Sequence, residues 1–291
     1  MYERSPIDFS KEANLVLIGG GTYAGTARPL LEMGVDLSGK EKPNVLVLPT
    51  PKSRQADYDV FVPKVTKMYG ESIGTNVSML HEYGSMPSFA ELEDSFNTAD
   101  VLYISGGNTK YALETWRKHG VDSLLTDAMR RGKIMTGISA GTLTWFNRSQ
   151  SDSQSYEVEK GEPWSYQEVT GLNQIKVNTG VHYNSTDTPD GRIRSEHFKD
   201  LLADWSAESG TTEIGLGIDN EASFVSTGGL IRVVRSREGV NLHVVRANAD
   251  GYRHDTVLNA PSVTISKENT SADQLPNNGI TWDEFYDQLK K

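Results

Sequence analysis

The stretch Gly137-Ile138-Ser139-Ala140-Gly141 has the G-x-S-x-G spacing of a serine held on a sharp turn between a strand and a helix. The apolar run before it predicts a buried strand, and the small residues after it predict a helix start. Glycines on both sides of the serine let other backbone segments approach closely. We predict that Ser139 is a nucleophile and that the Ala140 amide can receive an oxyanion. A tight turn without chemistry is the alternative interpretation.

A serine hydroxyl needs a base to become a strong nucleophile, and histidine is the usual base because its pKa lies near neutrality. The chain has six histidines. His182 is the best placed, because it ends an apolar strand downstream of Ser139 and precedes a polar loop. His81, after an earlier predicted strand, is a second option. The alternative role for His182 is a strand-end histidine bonded to backbone.

A carboxylate usually orients the imidazole of a serine hydrolase. Asp152, in the polar loop after the elbow, and Glu221, in a turn after a later strand, are both candidates. Asp219 is a third. Each of them can equally be an ordinary turn residue, so the residues alone leave this choice open.

A second glycine loop, Ser105-Gly106-Gly107-Asn108-Thr109, ends another predicted strand and opens a helix. Its backbone amides are expected at the same sheet edge as Ser139, and Gly107 is predicted to supply a second oxyanion donor opposite Ala140. Asn108 or Thr109 can cap the following helix at the same time.

The elements that must position these residues alternate between apolar runs and helical patterns from residue 14 to residue 147. This alternation predicts an α/β fold with a doubly wound, mostly parallel sheet, in which sites lie beyond the carboxyl ends of the strands. Short strands between residues 213 and 258 predict antiparallel hairpins added to the edge of that sheet. Ser88 and Thr281 are the predicted caps of two helices, the second of them terminal.

The whole chain, 1–291, is expected to form one domain, with a polar lead-in over 1–13 and a C-terminal extension over 259–291. A long polar segment with aromatic residues, 147–171, is typical of a functional or disordered loop. A flap over the active-site edge and a plain surface loop are both compatible with it.

The glycine-rich loop between residues 19 and 25 follows the first predicted strand. Its glycines are spaced one residue too widely for a dinucleotide fingerprint, which disfavours nucleotide binding.

Composition excludes several classes of function. The chain has 291 residues, no cysteine and a formal net charge of −10. Without cysteine there is no disulfide, no thiolate metal site and no cysteine nucleophile. The acidic balance argues against a nucleic-acid partner. Because the chain has neither an apolar stretch of about 18 residues nor a signal-like N-terminus, we expect no membrane partner and a cytoplasmic location.

Taken in order, four motifs resemble the aspartyl dipeptidase (peptidase E) family, to which cyanophycinases are related. They are Gly106-Gly107-Asn108-Thr109, Gly137-Ile138-Ser139-Ala140-Gly141, Val181-His182-Tyr183 and Gly217-Ile218-Asp219. The resemblance spans residues 14 to 227, and its first two motifs are the most specific. It implies a serine peptidase with a flavodoxin-like sheet, of the kind shared with class I glutamine amidotransferases, that needs no metal or cofactor.

The resemblance also implies roles for particular residues. Ser139 matches the family nucleophile, His182 the base, and Gly107 and Ala140 the oxyanion donors.

The third member of the triad is less well matched. Asp152 corresponds to an acid that follows the elbow in the family. A later acid, an alternative third member, falls on Asn220 by simple counting, with Glu221 one residue beyond. We therefore rank Asp152 slightly ahead of Glu221.

Family dipeptidases prefer an N-terminal aspartate, which an arginine after the base recognises. Arg194 lies in a comparable position, with Arg192 as its neighbour, and a guanidinium can hold a carboxylate bidentately. An exposed arginine at a helix start is the alternative. Asn108 and Thr109 complete the predicted substrate-binding set.

The expected function is hydrolysis of short peptides, in particular dipeptides with N-terminal aspartate, through an acyl-enzyme on Ser139. Two alternatives remain. One is a cyanophycinase-like exopeptidase acting on β-aspartyl-arginine units. The other is a non-catalytic small-molecule binding module of the same fold. The residues leave monomer and homodimer equally open.

Overall fold

The computed structural model describes residues 13–22, 25–159, 161–266 and 268–291. Apart from Ala13, the predicted polar lead-in lies outside the described residues. The strands, in chain order, are β1 (Asn14–Ile18), β2 (Asn44–Leu48), β3 (Asn76–Met79), β4 (Val101–Ile104), β5 (Ile134–Ile138), β6 (Arg148–Ser151), β7 (Gln167–Thr170), β8 (Asn178–Val181), β9 (Glu213–Ile218), β10 (Ala222–Thr227), β11 (Leu230–Arg235), β12 (Leu242–Ala247), β13 (Arg253–Val257), β14 (Ser262–Thr264) and β15 (Ile280–Thr281).

The α-helices are α1 (Arg28–Asp36), α2 (Gln55–Thr66), α3 (Phe89–Thr98), α4 (Thr109–His119), α5 (Val121–Arg130), α6 (Ala140–Leu143), α7 (Arg194–Ser209) and α8 (Trp282–Lys290). A π-helical stretch, Lys67–Ile73, continues α2, and short 3₁₀ turns cover Ser153–Tyr156 and Ala272–Gln274. Within the described part of the chain, no helix combines the length and the apolar character needed to cross a bilayer.

The first sheet has the order β14-β11-β10-β1-β5-β4-β2-β3, with β15 paired to β11. Strands β1 to β5 run parallel, whereas β10 runs antiparallel to β1. Leu15 and Leu17 face one apolar core and Val16 and Ile18 face the other, so β1 is buried on both sides. This burial explains the continuous apolar runs, and the predicted α/β class with a parallel core is confirmed.

The second sheet has the order β13-β12-β9-β8-β6-β7. Strand β8 lies parallel to β6 and β9, and β12 and β13 follow as antiparallel strands. The prediction that all the C-terminal strands extend one sheet edge is therefore wrong. Of the strands between residues 213 and 258, β10 and β11 join the first sheet, while β9, β12 and β13 join the second. Alternating apolar residues indicate that a strand is half-buried, but they do not identify the strand with which it pairs.

Two helix starts have the predicted chemistry. Ser88 and Thr281 each form a capping box with the glutamate three residues later, at the starts of α3 and α8. Helix α8 then packs its aromatic face against the first sheet, with the Phe285 and Phe224 ring centroids 5.4 Å apart. These contacts anchor α8 to the first sheet.

Candidate active site

The turn that carries Ser139 joins β5 to α6, the predicted strand–turn–helix arrangement. Ser139 has φ 54° and ψ −115°, a backbone conformation that costs energy for a residue with a side chain and is typical of functional sites. A Cβ on Gly137 would lie 2.5 Å from the Gly141 carbonyl oxygen, and one on Gly141 would lie 2.3 Å from the Ile104 carbonyl oxygen. Both glycines are thus required by close backbone contacts.

The histidine reaches the serine from the other sheet. His182 directly follows β8, and its Nε2 lies 2.7 Å from the Ser139 Oγ. On the far side of the ring, Nδ1 lies 2.6 Å from the Oδ1 of Asn220. Asn220 occupies the turn between β9 and β10, the point at which the chain passes from the second sheet back to the first.

The contact with Asn220 is suited to selecting one tautomer of the ring. When Nδ1 carries the proton and donates it to the amide oxygen, Nε2 presents its lone pair to the Ser139 hydroxyl, as a general base must. The Asn220 backbone amide donates to the Asn184 Oδ1 at 2.9 Å, which holds the turn in place.

The structure corrects the prediction that Asp152 orients the imidazole. The Asp152 Oδ2 lies 3.4 Å from the Arg194 Nη1, while Asn220 occupies the position on His182 Nδ1. Asp152 still acts on the ring at longer range, because its charge is among those that raise the pKa of His182.

The two acids that flank Asn220 are also directed elsewhere. Glu221 pairs with Arg237, and the Asp219 Oδ2 lies 3.2 Å from the His243 Nε2. Consecutive side chains on a tight turn point in different directions, so of the three only Asn220 faces the imidazole. The expectation that Glu221 or Asp219 completes a triad is therefore wrong.

The loop after β1 connects the segments that carry the site. The backbone carbonyls of residues 18–20, in that order, accept hydrogen bonds from the amides of Ser139 at 3.0 Å, His182 at 3.3 Å and Glu221 at 3.0 Å. Ser139, His182 and Glu221 all have positive φ, between 53° and 68°. One short segment therefore sets the relative positions of all three strained turns.

Gly20 lies directly against the histidine–asparagine contact. A Cβ at this position would lie 2.1 Å from the Asn220 Oδ1 and 2.2 Å from the His182 Nδ1. Gly20 is not identified from the sequence, because the glycine run after β1 is interpreted there only as a nucleotide loop. Counting along the family pattern does reach Asn220, but the expectation of a carboxylate favours Asp152 and Glu221 instead.

The predicted oxyanion donors lie on either side of the serine. A Cβ on Gly106 would be 3.3 Å from the Ser139 Cβ, so the loop that contains Gly107 lies against the nucleophile. Gly107 has φ 143°, and a Cβ there would lie 2.2 Å from the Pro51 carbonyl oxygen, which leaves no space for a side chain. Ala140 is the first residue of α6. The oxyanion role of both amides stays a prediction.

Asn108 and Thr109 are buried at the start of α4. The Asn108 Oδ1 accepts from the Tyr111 amide at 3.0 Å, so the predicted capping role is confirmed. The Thr109 hydroxyl has no hydrogen-bond partner among the described residues. Contact of either residue with substrate stays a prediction.

The surroundings of His182 lower the pKa of its ring, which keeps the ring unprotonated at neutral pH. Burial, with a further contribution from the nearby Arg194 charge, lowers its pKa to about 4, against the opposing effects of Asp152, Asn220 and Asp187. A base must be unprotonated to accept a proton. Near pH 7 the ring is therefore in the neutral form that can take the Ser139 proton.

Arg194 is held inside the protein rather than at its surface, with only 4% of its side chain exposed. Its Nε lies 3.3 Å from the Gln150 Oε1, and its guanidinium lies over the Tyr166 ring, 4.6 Å from the centroid. Tyr166 belongs to the 147–171 segment, which forms β6, a 3₁₀ turn and β7. This segment thus covers Arg194 with an ordered aromatic residue.

Arg192 does not join this cluster. It is exposed and forms ion pairs with Asp190 and Asp200 at 2.9 Å each. These surface carboxylates hold its guanidinium away from Arg194, and a substrate-binding role for Arg192 stays a prediction. Among the residues that the structure describes, no group of three or more histidine, aspartate or glutamate side chains is placed to hold a metal ion.

Comparison with known proteins identifies the family of this chain. The model of peptidase family S51 matches residues 15–234, which include Ser139, His182 and Asn220. The chain belongs to peptidase family S51.

The curated relatives carry peptidase names. The chain is 27% identical over 141 residues to the uncharacterized peptidase YgaJ of Bacillus subtilis (strain 168), and 28% identical over 192 residues to Peptidase E of Streptomyces coelicolor. These matches cover 48% and 65% of this chain. The chain spans 59% of the length of the first relative and 73% of the second. For the uncharacterized peptidase Lmo0363 of Listeria monocytogenes, the span is 64%.

Two solved structures have the same fold. The crystal structure of a peptidase from an acI-B1 Actinobacterium superposes with a TM-score of 0.59 at 18% identity, covering 85% of this chain and 95% of that one. A Listeria monocytogenes EGD-e protein superposes with a TM-score of 0.52 at 19% identity, covering 77% and 98% of the two chains. These likenesses support the fold assignment.

Proposed function

We propose that this chain is a serine-type peptidase that hydrolyses short peptides through an acyl-enzyme on Ser139. The observation that carries the proposal is the line of contacts from the Ser139 Oγ to the His182 Nε2 at 2.7 Å and from the His182 Nδ1 to the Asn220 Oδ1 at 2.6 Å. A serine, a neutral base and an orienting group in contact are the arrangement that nucleophilic catalysis requires. Membership of a peptidase family points to the same chemistry.

In this mechanism Ser139 attacks the substrate carbonyl carbon while His182 takes the hydroxyl proton at Nε2. The Gly107 and Ala140 amides stabilise the negative oxygen of the tetrahedral intermediate. His182 then gives the proton to the leaving amine, and the acyl group remains on the Ser139 oxygen. A water molecule, deprotonated by the same imidazole, releases the acyl group and restores the hydroxyl. Asn220 stays neutral throughout and keeps Nδ1 as the protonated nitrogen.

We extend the proposal to dipeptides with N-terminal aspartate, for which Arg194 is the recognition group. Its hydrogen bonds to Gln150 and Asp152 measure 3.3 to 3.5 Å, longer than the roughly 2.7–2.9 Å of strong charge-assisted bonds. The guanidinium therefore retains capacity for a substrate carboxylate. The relative from Streptomyces coelicolor carries the name Peptidase E, the family whose resemblance implies this substrate class.

The test measures the activity of Ser139→Ala on a panel of α-aspartyl, β-aspartyl and neutral dipeptides. The control variant is Ser209→Ala, which changes an exposed serine at the end of α7. We expect Ser139→Ala to lose on the order of 10⁴-fold or more in kcat, as removal of a serine nucleophile does in other hydrolases. Ser209→Ala should match the wild type. A fluorophosphonate probe should label the wild type at Ser139.

Three outcomes would count against the proposal. Unchanged turnover in Ser139→Ala would end the serine mechanism. Preferential cleavage of β-aspartyl-arginine would favour the cyanophycinase-like alternative. No cleavage of any substrate, together with no labelling, would favour a binding module.

A further inference from the structure

The side chain of Tyr183, the residue directly after His182, crosses three strands of the second sheet. Its ring lies against Gly217 of β9, where a Cβ would be 2.6 Å from the Tyr183 Cδ2. The ring then stacks on that of His243 of β12, with the two centroids 4.9 Å apart. At the far end, the hydroxyl donates to the Asp255 Oδ2 of β13 at 2.6 Å. One buried side chain therefore fixes the residue after the base to three neighbouring strands.

The acceptor of this hydrogen bond is itself held in place. The Lys199 Nζ of α7 lies 3.2 Å from the Asp255 Oδ2 and 2.9 Å from the Glu196 Oε1. Burial of Tyr183, followed by its hydrogen bond to Asp255, raises the pKa of its hydroxyl. The hydroxyl therefore stays protonated at neutral pH and donates to a charged oxygen, the kind of hydrogen bond that is stronger than one between neutral groups.

The backbone links Tyr183 to the strained turn of His182. The Tyr183 amide donates to the Ile218 carbonyl at 3.1 Å, and its carbonyl accepts from the Ser195 amide at 3.1 Å. His182 has φ 53°, a conformation that persists only where the surrounding structure fixes it on both sides. Strand β8 does so before His182, and Tyr183 does so after it.

The stacked histidine connects Tyr183 to the other half of the site. The His243 Nε2 lies 3.2 Å from the Oδ2 of Asp219, the residue directly before Asn220. Tyr183 and Asp219 are thus the chain neighbours of the two groups in the His182–Asn220 contact, and both side chains meet at His243. A displacement of the Tyr183 side chain would act on this contact from both of its ends.

On the basis of the proposed function, we infer that Tyr183 is a positioning residue for His182. Its hydrogen bond to Asp255 holds the imidazole in line with the Ser139 hydroxyl. Tyr183 acts through the backbone of its neighbour and through the stack on His243, and it takes no part in the proton transfer itself. It therefore sets how readily the base activates the serine, and it leaves the affinity for the peptide unchanged.

The test is Tyr183→Phe, which removes the hydroxyl and keeps the ring on Gly217 and His243. A displacement of about 1 Å in an active site can cost about 10²-fold in rate. Because one hydrogen bond is lost and the packing stays, we expect a smaller effect, a loss of about 10-fold in kcat with unchanged KM. Labelling of Ser139 by a fluorophosphonate needs an aligned base but no bound peptide, and it should slow by the same factor.

Tyr58→Phe is the matched control, because the Tyr58 hydroxyl donates to the His81 carbonyl oxygen at 2.8 Å. It removes one tyrosine hydrogen bond from α2, which carries neither the serine nor the base. This variant should keep the wild-type kcat and labelling rate, which separates positioning of the base from the general loss of a hydrogen bond.

A second pair of variants tests the acceptor. Asp255→Ala should lower kcat and the labelling rate as much as Tyr183→Phe does. The double variant should lose no more than either single variant, because both remove the same contact. Asp255→Asn keeps an acceptor oxygen and should recover most of the rate that is lost in Asp255→Ala.

Wild-type kcat and labelling in Tyr183→Phe would overturn the inference and leave the serine mechanism standing. Losses that multiply in the double variant would overturn it as well, since Asp255 would then act by another route. If Tyr183→Phe does not fold, the difference between Asp255→Ala and Asp255→Asn decides. Failure of the proposed function would be recognised separately, because the wild type would then show neither hydrolysis nor labelling of Ser139.

Discussion

The serine and the histidine of the site are positioned in two different ways. Ser139 follows β5, which lies between β1 and β4 at the centre of the parallel sheet. Its elbow depends on glycines two positions away on either side. His182 follows β8 in the second sheet, and both its neighbouring strands and its partner Asn220 are distant in the sequence. The nucleophile is thus placed largely by local sequence, and the base by long-range packing.

The loop of residues 18–20 is the point at which the two sides meet. It belongs to the first sheet through β1, yet its carbonyls accept hydrogen bonds from the amides of Ser139, His182 and Glu221. Alignment of the two sides therefore depends on a segment that contributes backbone carbonyls rather than side chains to these contacts. The loop, the orienting amide of Asn220 and the packing of the second sheet each contribute to this alignment, and a substitution in each measures its share.

The largest effect is expected at the loop. Gly20→Ala would place a Cβ 2.1 Å from the Asn220 Oδ1 and 2.2 Å from the His182 Nδ1, so the ring or the amide must move. A displacement of about 1 Å can cost about 10²-fold in rate. We expect a loss of this order in kcat, with a small change in KM and a circular dichroism spectrum like that of the wild type.

Gly70→Ala is the control for this substitution, because a Cβ there would meet only the Val77 Cγ1 at 3.4 Å, an ordinary contact. Wild-type kcat in Gly20→Ala would show that the two sides are aligned without the loop.

A second prediction concerns the orienting amide. His182 must be neutral to accept the Ser139 proton, so kcat/KM of the wild type should be flat at neutral pH and fall as the pH drops through about 4. Asn220→Asp places a negative charge beside the ring, which favours the protonated form and raises its pKa. The acidic limb of the pH profile should therefore move to higher pH, with lower activity near pH 5.

Asn259→Asp adds the same charge at an exposed position on the far C-terminal segment and should leave the limb in place. A wild-type limb near the ordinary histidine value of about 6.5, or no movement in Asn220→Asp, would contradict the assigned contact.

The smallest effect on activity is expected from removing the side chain that packs against β8. Phe198 on α7 is fully buried, and Cβ atoms on Gly180 of β8 and Gly215 of β9 would lie 2.9 and 2.5 Å from its ring. Phe198→Ala should lower the free energy of unfolding by about 3–5 kcal/mol. It should also lower kcat several-fold at temperatures where the protein remains folded, because β8, the strand directly before His182, loses its packing surface.

Phe96→Ala, at an equally buried position on α3 beside the first sheet, should destabilise by a similar amount without lowering kcat. Urea unfolding and steady-state kinetics on both variants would check this difference. Equal losses of kcat would mean that the second sheet has no special influence on the base.

Much of the parallel core could be predicted from the sequence because its information is local. Strands buried on both faces require continuous apolar runs, and helix starts need caps such as Ser88 and Thr281. The division of the C-terminal strands between two sheets could not be predicted in this way. Strands β9 and β10 have similar apolar patterns and are separated by one short turn, yet they belong to different sheets.

By itself, the sequence determined the α/β class, the serine on its elbow, the glycine loop beside it and His182 as its most suitable base. The first three follow from spacings within a few residues, where steric limits on backbone and side chain act directly, whereas His182 follows from its place at the end of an apolar strand downstream of Ser139. The tertiary structure alone decided that Asn220, and not Asp152 or Glu221, meets the imidazole, and that Gly20 gives both groups room. Those choices depend on which distant segments pack together, because the direction of a side chain on a turn is set by the neighbours that surround it.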